Sequence, residues 1–96
     1  MNNPYILKNA EIIKNYFIGF SPEKIGIFGS YSRNQHNDNS DLDILIKFKN
    51  NISLFKLVEL EEGISEILGV KVDLITENSI KNKQLKDIIE KEIIYL

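Results

Sequence analysis

Residues 41–48 read DLDILIKF. Successive side chains of a strand point to opposite faces, so Leu42, Ile44, Ile46 and Phe48 share one side. Asp41, Asp43, Leu45 and Lys47 share the other. Such a strand buries one face under helices and carries two carboxylates, side by side, at the start of its second face. The segment before it narrows the options further. Residues 25–28, IGIF, form a short β-branched run closed by Gly29-Ser30, a turn at which backbone can approach a phosphate closely. Residues 34–40, NQHNDNS, hold no apolar side chain and read as a surface loop. A phosphate-sized turn beside an acidic strand end points to nucleotide chemistry.

The remaining chain reads as scaffolding. Asn3-Pro4 has the form of a helix start, with Ile6, Ala10, Ile13 and Phe17 following at helical spacing and Gly19 as a stop. Tyr5, Ile12 and Tyr16 widen that apolar stripe, which suits a well-buried helix or a partner-contact surface. Ser30 can cap a short helix through Tyr31, Ser32 and Arg33. Ser53 can cap a helix ending at Leu68-Gly69, with Gly63 weakening its middle by about 1 kcal/mol relative to Ala. VKVDLIT, residues 70–76, is a third strand, and Asn78-Ser79 can start a last helix through Leu85, Ile88 and Ile89. The last residues, from Glu92 to Leu96, can fray, pair as a short edge strand or serve as an interaction tail. The expectation is one α+β domain spanning residues 1–96, a small mixed β-sheet with helices packed on one face.

Composition closes off other classes. Lys and Arg number 12 against 14 Asp and Glu, a net charge of −2, so no basic surface invites nucleic acid. Without cysteine there is no disulfide, thiolate nucleophile or zinc–thiolate site. His36, the single histidine, sits among Asn and Gln and is read as a loop residue without a catalytic role. No apolar run reaches the roughly 20 residues that a membrane-spanning helix needs. The start, MNNPYILKN, lacks the basic-then-apolar form of a signal peptide, so a cytoplasmic location is expected.

Asp73 lies inside the apolar VDLI strand, where a carboxylate is costly unless paired or metal-bound. If its strand neighbours residues 41–48, Asp41, Asp43 and Asp73 converge at one sheet edge. Mg²⁺ takes oxygen ligands, and two such ions about 4 Å apart can hold both oxygens of an in-line phosphoryl displacement. Asp73 can also take the proton of an incoming hydroxyl. The plainer alternative has Asp41 capping a turn, Asp43 paired with a lysine and Asp73 solvated. Ser40 can meet nucleotide or cap its turn; Lys47 and Lys71 can reach a triphosphate or pair with acids; Tyr31 can stack on a base or be buried.

Gly29-Ser30, ten further residues and Asp41-x-Asp43, then Asp73 in VDLIT, resemble the pattern of the DNA polymerase β-like nucleotidyltransferase superfamily. Nearly the whole chain is similar to its smallest branch, the minimal nucleotidyltransferases. The resemblance implies that Gly29 and Ser30 contact nucleotide phosphates, that Asp41, Asp43 and Asp73 hold the catalytic Mg²⁺, and that Arg33 supports the loop or the nucleotide. Ser32 and Asn34 stand where alanine and glycine are usual. Serine is a small change, and asparagine tolerates positive φ, so the turn can survive.

The resemblance further implies transfer of AMP from ATP to an acceptor hydroxyl, with pyrophosphate leaving. Members of this branch are commonly antitoxins that adenylylate a tyrosine of a HEPN-domain RNase toxin. No acceptor-binding domain follows Asp73, so the acceptor is expected to be held by another chain or a second copy, as a hetero- or homo-oligomer. Two other readings accompany this one. In one, a binding-only antitoxin occludes its toxin; in the other, a small-molecule nucleotidyltransferase modifies aminoglycoside-type acceptors.

Overall fold

The computed structural model describes residues 3–96; Met1 and Asn2, part of the stretch read above for a leader, lie outside them. Helix α1 spans Pro4–Phe17, strand β1 Pro22–Phe28 and strand β2 Leu42–Phe48. Helix α2 (Leu54–Leu68), strand β3 (Val72–Thr76), helix α3 (Lys83–Glu92) and strand β4 (Ile94–Tyr95) follow. The sheet order is β3-β2-β1-β4. β1 runs antiparallel to both β2 and β4, whereas β2 and β3 are parallel, joined through α2. The α+β class and the mixed sheet are those expected from the sequence.

Alternation in β2 sorts the core as the sequence implied. Leu42, Ile44 and Ile46 are fully buried with Ile25 and Ile27 of β1 and Val72 and Leu74 of β3. Against this face pack Ile6, Ile13 and Phe17 of α1 and Leu60 and Ile64 of α2. The expectation of helices on one face describes α1 and α2 only. Helix α3 crosses the other face, where Ile89 meets Phe28 and Leu45, because those two side chains point away from the first core and need their own cover.

Local signals explain most element ends. The Asn3 side chain accepts from the Ile6 amide, and Ser53 accepts from Lys56. Gly69 closes α2 in the left-handed region. Helix α2 is continuous through Gly63, at whose side the Tyr16 hydroxyl lies while donating to the Leu60 carbonyl at 2.9 Å. Three boundaries differ from expectation. Helix α1 passes Gly19 as a 3-10 turn, and Ser21, at φ 54, makes the reversal. Asn78-Ser79 belongs to a 3-10 turn, and the N-cap of α3 is Asn82, whose side chain accepts from Leu85. The residues after Gly29 form a 3-10 turn without a side-chain cap from Ser30; instead the Ser32 hydroxyl donates to the Gly29 carbonyl at 2.7 Å.

The outer edge of β3 is covered from α2. The Glu61 carboxylate accepts from the Leu74 amide at 2.8 Å, and the Ser65 hydroxyl accepts from Val72 at 3.0 Å. These bonds occupy donors that an open edge would offer to another chain. At the other edge, β4 resolves the three readings of the C-terminus: it pairs with β1, and the Leu96 amide donates to Ile25 at 2.8 Å.

Candidate active site

The end of β1 and the beginnings of β2 and β3 meet at one rim of the sheet. Phe28 stands opposite Asp43, and Asp43 stands beside Asp73 in the parallel β2–β3 register. Both aspartates therefore project on the α3 side of the sheet from adjacent strands. Asp41 lies two residues upstream, just before β2 begins, and the next backbone amide, that of Leu42, donates to Lys71 at 2.8 Å. The three acids read from the sequence thus come to the same rim as Gly29. Gly29 has φ +76, and a Cβ there would collide with an Asp43 carboxylate oxygen. Glycine is required by both the backbone and the space that Asp43 fills.

The electrostatics follow from this crowding. Burial pushes the Asp43 carboxyl up to about 6, and the charges of Asp73, Asp41 and Glu92 add to the rise. The charge of Arg33 works in the opposite direction. Among the described residues, no three acidic or histidine side chains already converge as a closed chelating cage. Asp41 instead leans toward Lys71, with 3.6 Å between Oδ2 and Nζ. A closed cage is not what magnesium requires, since the ion is usually bound through one or two carboxylates together with water and substrate phosphates. The half-buried Asp43 carboxylate beside Asp73, with the charge of Asp41 nearby, is a set of donors short of positive charge. It fits a hard divalent cation.

The other expected residues divide. Arg33 reaches the rim and pairs with Glu92 at 2.5 Å. Ser40 sits at the mouth, but its hydroxyl accepts from the Asn37 amide at 3.0 Å, within the turn that delivers Asp41. Lys47 is carried to the opposite end of the sheet, where it pairs with Glu23. Tyr31 is buried, its ring 4.6 Å from that of Tyr5 and stacked at 4.0 Å on His36, which leaves no open face for a base. His36 thereby pins the loop between the Gly-Ser turn and the acid pair. Asn34, at φ 57, adopts the left-handed conformation where a glycine is usual.

Glu92 was not found from sequence. Its carboxylate accepts from the Gly29 amide at 3.0 Å and pairs with Arg33. No motif marks it, and only the pairing of β4 with β1 brings it to the rim.

The Gly29 turn and the carboxylates of Asp41, Asp43 and Asp73 thus share one rim of the sheet, as expected for nucleotidyl transfer. The family described as Nucleotidyltransferase domain matches residues 8–96, and the chain belongs to this family of transferases. A candidate protein adenylyltransferase of Methanocaldococcus jannaschii is 47% identical over 89 residues, covering 93% of this chain and 88% of that relative. Protein adenylyltransferase MntA of Thermococcus cleftensis is 40% identical over 77 residues, covering 80% and 77%. Among solved structures, a minimal nucleotidyltransferase superposes with a TM-score of 0.82 at 25% identity, over 100% of this chain and 97% of that one. The antitoxin fold also matches, with a TM-score of 0.71 at 23% identity, in a complex described as a tri-AMPylated Shewanella oneidensis HEPN toxin with MNT antitoxin, covering 93% and 68%.

Proposed function

We propose that the chain is the antitoxin of a toxin–antitoxin pair and transfers AMP from ATP to a tyrosine hydroxyl of a HEPN-type RNase toxin, so neutralising it. The observation that carries this reading is the in-register pair Asp43 and Asp73 beside Gly29. The relatives named protein adenylyltransferase support the reaction class, and the structures of toxin–antitoxin complexes, one of them with AMP-PNP, support the partner and ATP.

In this reading Gly29 and Ser30 receive the triphosphate, and Arg33 offsets its charge. Asp41, Asp43 and Asp73 would hold Mg²⁺, which would supply charge neutralisation at the reacting phosphorus. The tyrosine oxygen forms a bond to the α-phosphorus, the α–β anhydride bond breaks, and pyrophosphate carries away the electron pair. Asp73 accepts the tyrosine proton. Ser40 shapes the turn that presents Asp41. The incoming tyrosine belongs to the partner. No helix among the described residues is long and apolar enough to cross a membrane. The reading places the chain in the cytoplasm, with ATP.

The test is incubation with α-phosphate-labelled ATP, Mg²⁺ and the HEPN-type partner. Label should appear on the partner and vanish with Asp41→Ala or Asp43→Ala. Neutralisation by the double variant without transfer would replace the reading with occlusion, and label on a small molecule alone would replace it with the third reading.

A further inference from the structure

The antiparallel ladder between β1 and β4 sets Ile27 opposite Ile94 and Gly26 opposite Tyr95. Carried two residues toward the rim, that register brings Glu92 opposite Gly29. Backbone pairing does not reach that far, because residue 92 still belongs to α3 and the Ile93 amide donates back to Ile89 at 2.8 Å. The Glu92 side chain makes the missing rung instead: Oε1 accepts from the Gly29 amide at 3.0 Å. Its second oxygen takes Nη1 of Arg33, whose Nε donates to Gln35 at 3.2 Å.

Two features make this more than an edge contact. The Glu92 side chain is only 18% exposed, so its charge is held close against the rim. It also stands near three carboxylates already short of positive charge, and its own charge helps to raise Asp43. A fourth acid here is electrostatically unfavourable unless its two bonds set something in place. Those bonds end on the turn glycine and on the cation at the rim, both of which face the triphosphate in the function proposed above.

We propose that Glu92 is a positioning residue for nucleotide binding: by bridging the Gly29 amide and Arg33 it fixes the phosphate-receiving turn and aims the guanidinium across the acidic rim. Glu92 touches neither nucleotide nor acceptor. It acts through Gly29 and Arg33, which links the chain's last helix to the Gly-Ser turn more than sixty residues earlier.

The proposal rests on the nucleotidyl-transfer reading, and equilibrium binding of ATP in the presence of Mg²⁺ separates the two. If the wild-type chain takes up no ATP, that reading fails and the proposal fails with it. If the wild type binds, Glu92→Ala should raise Kd about tenfold, the scale of a lost hydrogen bond to a charged group. Glu92→Gln should have a smaller effect, since its amide oxygen still accepts from Gly29. Transfer at saturating ATP should remain near wild type in both, so the loss falls on KM rather than on kcat. In an Arg33→Ala background, Glu92→Gln should change Kd no further, because both substitutions remove one bridge. Unchanged Kd in a Glu92→Gln protein with a lowered Tm would overturn the proposal in favour of a structural strut. Tighter ATP binding in Glu92→Gln would overturn it too, because Glu92 would then be an anion that phosphate has to displace.

Discussion

The two ends of strands β1 and β2 both carry acids and treat them in opposite ways. At the end holding Pro22 and Phe48, acids meet lysines: Glu23 pairs with Lys47 at 3.6 Å and Glu77 with Lys24 at 3.3 Å. At the other end Asp43 faces Asp73 across the parallel register, and among the described residues neither has an ion-pair partner. The cations present there serve the periphery, Lys71 on Asp41 and Arg33 on Glu92. A groove of about 510 Å³, lined by Ile18, Pro22, Ile25 and Tyr95, lies at the lysine-matched end. Carboxylates at the matched end acquire lysine partners, whereas Asp43 and Asp73 are left facing each other in a crowded rim, as the proposed metal-binding role requires.

The largest effect should come from removing the acid at the centre of the unmatched end. Asp43→Ala is expected to lower AMP transfer about a thousandfold, the scale of losing one preorganised electrostatic group, measured as initial rate with labelled ATP. Activity within tenfold of wild type would dissolve the contrast between the ends. Gly29→Ala should come next, because it forces both a left-handed non-glycine backbone and a collision with Asp43. Roughly 1–3 kcal/mol of stability should be lost, read by denaturant unfolding, together with most of the transfer activity.

A third outcome concerns pH. Asp43 is raised from 3.8 to about 6, so between those values the folded chain keeps a proton that the unfolded chain has lost. Stability should therefore fall as pH rises through that window and remain lower above it. Asp43→Asn removes the penalty: its Tm should exceed wild type at neutral pH and approach it below 3.8, while transfer is lost. Equal Tm values across the range would mean that the acids are not in conflict. At the matched end, Glu23→Ala should change stability by no more than about 0.5 kcal/mol, as exposed pairs do, and leave transfer intact.

What was legible in the sequence was what neighbouring residues decide. The alternation of 41–48 sorted β2 into a core face and an acidic face, Ser53 and Gly69 bounded α2, and Asn34 took the left-handed conformation that its side chain tolerates. The start of α3 escaped because the Ser79 hydroxyl is used on the Thr76 carbonyl at 2.8 Å, which leaves Asn82 to cap the helix. The placement of α3 across the second face escaped as well, since nothing in its own spacing says which side of the sheet needs cover. In the candidate site, type and spacing picked out the Gly-Ser turn and three acids, and the strand register brings them to one rim. Glu92 was not picked out, because its place depends on a two-residue strand that forms only when the sheet edge is there to receive it.

The central claim is that the unmatched acids make this chain an adenylylating antitoxin. Its most direct test is the intact mass of a HEPN-type partner after co-expression with wild type and with the Asp41→Ala, Asp43→Ala variant. The account predicts a gain of one or more AMP units on a partner tyrosine with wild type and none with the variant. A partner of unmodified mass that is nonetheless neutralised by wild type would contradict it.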